Sequence, residues 1–278
     1  MRPLKKTITA TLFLLCFTTL MNAQKKYEIK INPVLGKVYT TSSNIDMDYT
    51  IKTNGNEMKI TSKQNFEIEN TYAKSGSNFA LQSVFQKLET SVLMPGMEKK
   101  ISSEDPENAD NKIFKMMKGK AIKMVYTPDL NMVGEPDLSE LEKLTGTIPA
   151  DQMAMLKTMA KGMQSLKGYY PSKPVAEGES WPLKLNMDLG TGINMEMNGN
   201  GKLIKVNPDS YEVQYDINMN SSAQGIVMEG KGVQTISFDR KTGLPSYYKF
   251  SMPLQGKGNI QGNAIEMTMN LIQSGSTK

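Results

Sequence analysis

The chain has 278 residues, a formal net charge of +5, no histidine and a single cysteine, Cys16. The absence of histidine excludes catalytic triads with an imidazole base, and one cysteine excludes an intramolecular disulfide bond and zinc sites built on Cys and His. Three of the positive charges, Arg2, Lys5 and Lys6, lie at the N-terminus, and the other lysines are interspersed with acidic residues. This distribution is typical of a solvated surface and does not predict nucleic-acid binding.

Residues 1–23 have the features of an export signal. Arg2, Lys5 and Lys6 precede a thirteen-residue apolar stretch, Ile8 to Leu20, and Ala23 provides the small residue at the cleavage site. The apolar stretch is shorter than the roughly 20 residues that a membrane span needs. We therefore expect a mature chain of residues 24–278 without a transmembrane segment, located in the periplasm or outside the cell.

Alternating apolar and polar residues predict β-strands from about residue 27 to 135. Ile45, Met47, Tyr49 and Ile51 share one face of a strand, and Asn54-Gly55 predicts a tight hairpin turn after it. Residues 108–118 could form a short helix. Alternation with one polar face indicates antiparallel strands that are solvated on one side.

Helical spacing replaces alternation between about residues 136 and 168. The pattern predicts one helix over residues 137–144 and a stronger one over residues 151–166, with Met155, Met159 and Met163 on one stripe. Alternation resumes at about residue 174 and continues to 275. We therefore predict one mainly β domain, residues 24–278, in which a helical middle separates two strand-rich halves.

Three local patterns have structural interpretations. Residues 33–39 match residues 174–181 with one gap, and residues 117–133 match residues 228–244, so the halves are either an internal duplication or a chance similarity. Residues 199–202, Gly-Asn-Gly-Lys, lack the spacing of a phosphate-binding loop and predict a hairpin turn instead.

Methionine is unusually frequent, with 22 residues in the chain, of which only Met1 and Met21 precede residue 24. Flexible methionines could simply fill the core, line an adaptable apolar pocket, or bind Cu(I) through their thioethers. Met195 with Met197, and Met267 with Met269, each place two sulfur atoms on one strand face. Their alternation with polar residues favours core or pocket over copper.

Carboxylate pairs are the remaining candidates for catalysis. Asp46 and Asp48 share one strand face, and Glu177 and Glu179 share a turn. A glycosidase needs only two such acids. Neither pair is flanked by the residues that hold sugars, so a solvated strand face is the favoured interpretation.

Several turn and strand-start signals together resemble a known family. They are Gly36 to Tyr39, Tyr170-Pro171, Pro174 to Trp181, and the turn from Asp239 to Pro245. This order resembles a family of secreted Gram-negative proteins of unknown function, and more distantly the lipoprotein-carrier (LolA-like) half-barrel. The resemblance implies a strongly curved antiparallel sheet whose concave side is covered by helices.

These observations favour an exported, non-enzymatic binding protein that uses no cofactor. We expect it to hold an apolar small molecule or a lipidated protein in a methionine-lined concavity. The alternatives are a structural or partner-binding module with a fully packed core and, less favoured, a Cu(I)-binding protein or a carboxylate hydrolase. The candidate ligand-binding residues are Met155, Met159, Met163, Met187, Met197 and Met219.

Overall fold

A computed structural model describes residues 24–105, 111–143, 167–188, 194–223, 225–260 and 262–278. The predicted export signal, and the predicted helix that carries Met155, Met159 and Met163, lie outside the described residues. The protein is mainly β, with 69% of the described residues in strands and 6% in helices. In the described ranges, the helices are all too short or too polar to cross a membrane.

The described chain forms thirteen strands and three short helices. The strands are β1 Lys26–Tyr27, β2 Val38–Thr53, β3 Asn56–Ser75, β4 Asn78–Met94, β5 Met97–Ser102, β6 Ala121–Tyr126, β7 Val175–Ala176, β8 Ser180–Asp188, β9 Asn194–Val206, β10 Ser210–Ala223, β11 Ile226–Asp239, β12 Pro245–Ile260 and β13 Asn263–Thr277. The helices are α1 Lys112–Met117, α2 Ser139–Glu142 and a 3₁₀-helix, Lys167–Tyr169.

Eleven of these strands form one antiparallel sheet that is not closed. The order is β5–β4–β3–β2–β13–β12–β11–β10–β9–β8, and β6 pairs with the other half of β4. β1 and β7 form a separate two-stranded sheet. The pairing of β2 with β13 joins the two strand-rich halves into one sheet, because it brings the start of the domain beside its C-terminus.

Several hairpins turn at the same end of the sheet, which we call the tip end. Asn54 and Gly55 both have positive φ, +49° and +79°, as a two-residue hairpin turn with right-handed strand twist requires. This confirms the turn predicted there. Thr53 pairs with Ile265, and Ile226 pairs with Gly258, so the tips of the β2–β3, β12–β13 and β10–β11 hairpins lie side by side.

The two faces of the sheet differ in polarity. On β13, Glu266, Thr268 and Asn270 are exposed on one face, whereas Met267 and Met269 are partly buried on the other. The same alternation holds on β2. The prediction of antiparallel strands with one solvated face is therefore confirmed.

Two clusters of buried side chains cover the apolar face away from the tip end. One cluster packs Ile29 and Val175 against the inward residues of β8 to β12, including Tyr215 and Phe238. The other packs β6 and both α-helices against β2, β3 and β4. Its buried residues are Tyr39, Tyr72, Leu81, Met117, Ile122, Met124, Tyr126, Leu138, Leu141 and Leu244.

The predicted helical middle and half-barrel are not confirmed. α1 lies inside the predicted segment 108–118, but α2 covers only four residues of the segment 137–144. Asp137 exchanges two backbone hydrogen bonds with Lys123 of β6, at 2.8 and 3.1 Å, and this bridge delays the start of the helix. Most of the segment from 144 to 168 lies outside the described residues, so that part stays a prediction.

The turn predicted at residues 199–202 is wrong, because β9 runs without interruption through these residues. Gly201 faces inward between Trp181 of β8 and Tyr215 of β10, its partners on the two neighbouring strands. A Cβ atom at Gly201 would lie 2.7 Å from atoms of both aromatic rings. Glycine is therefore required here by packing within a strand and not by a turn.

The structure agrees with one of the two sequence matches between the halves and disagrees with the other. Gly36 and Gly178 both have positive φ and each precedes a buried aromatic residue, Tyr39 or Trp181, at a strand start. The other match aligns Val125 with Ile236. However, Met124 is the core-facing neighbour in β6, so this match pairs opposite faces. The duplication itself stays a prediction.

Candidate functional site: a methionine face at the tip end

The strand register aligns inward residues into rows across the sheet, and two adjacent rows near the tip end are rich in methionine. The first row contains Met187, Met195, Ser221, Met228, Gly256, Met267, Ile51 and Met58, each paired with the next across eight strands. The second row contains Leu185, Met197, Met219, Gly230, Leu254, Met269, Tyr49 and Ile60. We call these two rows the methionine face, because methionine occupies half of its positions.

Exposure of the apolar face increases toward the tip end. In the next row away from the tips, Leu183, Ile217 and Met252 are at most 3% exposed. In the first row, Met195, Met228 and Met267 are partly exposed, and Met58 is 41% exposed. The first buried cluster reaches into the second row, where Leu185, Met219 and Leu254 are at most 6% exposed, whereas the methionines of the first row remain accessible where their side chains are described.

The methionine face carries no charged side chain at any of its sixteen positions. Its side-chain polar groups are the hydroxyls of Ser221 and Tyr49. The Tyr49 hydroxyl donates a hydrogen bond to Sδ of Met47 at 2.9 Å. Burial raises the pKa of Tyr49, so this hydroxyl stays protonated at neutral pH.

Glycines within the two rows allow neighbouring side chains to lie across the strands. A Cβ atom at Gly256 would lie 2.9 Å from Cγ of Met228, and one at Gly230 would lie 2.5 Å from Cδ2 of Leu254. Each glycine thus provides space that a flexible apolar side chain fills. Methionine suits this role because its unbranched side chain adapts to irregular gaps.

Aromatic contacts stabilise the strands on the side of the methionine face that is farther from the tip end. Trp181 and Tyr215 pack edge to face over Gly201, with ring centroids 6.0 Å apart. Tyr248 of β12 lies over Gly275 of β13 and reaches β2, where its hydroxyl hydrogen-bonds to Oγ of Ser43 at 2.6 Å. Within the described residues, the buried Nε1 of Trp181 has no hydrogen-bond partner.

The structure places the predicted site residues unequally. Met197 and Met219 are cross-strand partners in the second row of the methionine face. Met197 is partly exposed, whereas Met219 is buried, with only 6% exposure. Met187 occupies a position in the first row, although its side chain is outside the described part. The stripe of Met155, Met159 and Met163 lies outside the described residues altogether.

The sequence prediction missed several residues of the face, above all Met228, Met267 and Met269. The signal was present, because Met267 and Met269 alternate with polar residues on β13. The sequence alone does not show that β13 pairs with β2 and β12. This pairing places Met269 in the same row as Met197 and Met267 in the adjacent row.

The acidic pairs lie elsewhere. Asp48 points outward and accepts a hydrogen bond from the Thr61 hydroxyl at 2.8 Å. The backbone N–H of Ala176, and secondarily Lys26, lower the pKa of Glu179, which is the opposite of what a general acid requires. In the residues that the structure describes, no three His, Cys, Asp or Glu side chains cluster as metal ligands would.

A depression of about 370 Å³ lies over β10, β11 and β12 on the polar side of the sheet. Asn218, Asn220, Glu229, Lys231 and Gln255 contribute to its lining. Its outward polar side chains distinguish it from the methionine face, where the exposed residues are apolar. The two sites therefore differ in the kind of ligand that they could hold.

Comparison with protein families finds one match. A profile described as "Family of unknown function (DUF6263)" matches residues 150–245, which include β7 to β11. A comparison with the curated proteins finds none that matches. The comparisons do not show the resemblance to the lipoprotein carriers.

Among solved structures, the chain is similar to lipovitellin, in a structure described as lipid–protein interactions in lipovitellin. The TM-score is 0.52 at 8% sequence identity, and the match covers 88% of this chain and 25% of that chain. Similarity to OpdQ of Pseudomonas aeruginosa has a TM-score of 0.27 at 6% identity, covering 87% of this chain and 100% of that one. The lipovitellin likeness shows a shared fold, and this chain spans about a quarter of the lipovitellin chain's length.

Proposed function

We propose that this protein is an exported, non-enzymatic binding protein that holds an acyl chain, of a lipid or of a lipidated protein, against the methionine face. The observation that carries the proposal is the increase in exposure along one continuous apolar face. Met252 is fully buried, whereas Met267 and Met58 in the first row are accessible. The free energy falls when a ligand covers an apolar surface that is otherwise accessible to water.

The chemistry of the face favours an acyl chain over a polar ligand. The two rows present no charge that could pair with an ionic ligand. Methionine side chains adapt to flexible apolar partners of different lengths. Burying ten methylene groups would contribute about 8 kcal/mol before ordering costs are subtracted.

The comparisons support the same proposal in one respect. The solved structure that shares this fold concerns lipid–protein interactions, although it is a much longer protein.

The export signal predicted for residues 1–23 supports a location in the periplasm or outside the cell. Cell fractionation with mass determination of the mature N-terminus tests that location, and a cytoplasmic, uncleaved protein would contradict it.

The direct test is purification of the protein from its native envelope, followed by solvent extraction and mass spectrometry. We expect acyl lipids in stoichiometric amounts, or a co-purified acylated protein, and the two results distinguish the two sources of the chain. A protein that is repeatedly empty and takes up no fluorescent apolar probe would contradict the proposal. That result would favour the alternative of a structural module with a packed core.

A further inference from the structure

Tyr49 occupies an unusual place in the methionine face. It lies in the second row, where its cross-strand partners are Met269 of β13 and Ile60 of β3. Its neighbours on the same side of β2 are Met47 and Ile51. The side chain is only partly buried, so its hydroxyl is a polar group in apolar surroundings that a ligand could reach.

The Tyr49 hydroxyl has a poor hydrogen-bond partner. Among the described residues, its partner is the thioether sulfur of Met47, which is a weak acceptor. Tyr126 of β6 also donates to a thioether, Sδ of Met124 at 3.3 Å, but it is buried in the second cluster. Tyr170 and Tyr248 instead donate to oxygen, to the carbonyl of Gly243 at 3.0 Å and to the Ser43 hydroxyl at 2.6 Å. A tyrosine hydroxyl that is removed from water normally finds such an acceptor.

We infer that Tyr49 is the polar anchor of the methionine face and that the bound chain carries an ester or amide carbonyl. The carbonyl oxygen would accept the hydrogen bond that Met47 now accepts. The inference rests on the proposed function and narrows its ligand from any apolar chain to acyl esters and acyl amides. Tri- and diacylglycerols, phospholipids and lipidated proteins all contain such a group.

The charge of the surroundings distinguishes a neutral carbonyl from a carboxylate. The rows that contain Tyr49 and its neighbours carry no lysine or arginine, so a carboxylate covered at this position would lack a counter-ion. Covering an unpaired charge costs much more free energy than covering a hydrogen-bonded carbonyl. The site therefore favours the ester over the ionised free acid at the Tyr49 position.

The test compares Tyr49→Phe with Tyr247→Phe, which removes the same hydroxyl from an exposed tyrosine on the polar face. Displacement of N-phenyl-1-naphthylamine is measured with methyl laurate, an ester, and with tridecane, a hydrocarbon of similar length. We expect Tyr49→Phe to weaken the ester about fivefold, since one neutral hydrogen bond is lost, and to leave tridecane unchanged. Tyr247→Phe should leave both affinities unchanged.

Each other result has a distinct meaning. An equal loss for both competitors, or no loss for either, would overturn the anchor while leaving the binding function intact. If neither competitor displaces the probe from the wild-type protein, the binding function itself fails and the anchor fails with it. Thermal unfolding of Tyr49→Phe checks that the fold is retained, since the lost bond to sulfur is a weak one.

Discussion

Met267 offers the sharpest test of the methionine face, because its chain neighbour Thr268 points to the opposite side of the sheet. Met267 lies in the first row between Gly256 and Ile51 and is partly exposed, whereas Thr268 is exposed on the polar face. Aspartate is generally disfavoured in strands. Met267→Asp and Thr268→Asp place the same charge at adjacent positions of one strand and differ in the face that they charge.

We expect Met267→Asp to weaken binding of N-phenyl-1-naphthylamine on the order of a hundredfold. Losing half of the contact that a fully buried methionine makes would cost about 1 kcal/mol. Covering an unpaired carboxylate adds at least about 2 kcal/mol, and the total of about 3 kcal/mol corresponds to that factor. Thr268→Asp should leave the affinity unchanged.

Fluorescence titration of both variants measures the two dissociation constants, and circular dichroism confirms that each is folded. Equal affinities for the two variants would refute the assignment of the ligand to this face. Weakening by Thr268→Asp alone would instead place the ligand on the polar side of the sheet.

Three further predictions concern the fold and the accessibility of its residues. Gly201→Val should lower the free energy of unfolding by about 1–3 kcal/mol, because its Cβ would lie 2.7 Å from two aromatic rings, whereas outward Asn200→Val should change it little in urea titrations. Burial raises the pKa of Asp239, but hydrogen bonds within its turn outweigh burial and hold that pKa below 3.8. The resulting stabilisation is present above about pH 4 and is lost as pH falls, so Asp239→Asn should show a shallower loss of stability between pH 5 and 3. Under limited peroxide treatment, Met58, at 41% exposure, should form sulfoxide at least several-fold faster than Met252, at 0%, and equal rates in peptide mapping would contradict the burial gradient.

Local sequence patterns predicted the strands well, but they predicted poorly where the helices in the middle of the chain begin and end. The alternation on β2 and the Asn54-Gly55 turn were predicted because both depend on residues adjacent in sequence. The start of α2 was misplaced because Asp137 pairs with Lys123 of β6, a tertiary contact. The strand at Gly201 was read as a turn because glycine is ambiguous until its packing partners are known.

The sequence by itself determined that the protein has no histidine chemistry, that its strands are antiparallel, and that methionines share the apolar face with Leu, Ile and Tyr. Period-two alternation decides the face of each residue without reference to other strands. The tertiary structure decided which methionines lie together. Ile51 and Met267 are far apart in the chain yet are direct partners, because register between distant strands depends on non-local pairing. That register, together with clusters that cover only one end of the sheet, places the accessible methionines in adjacent rows at the tip end.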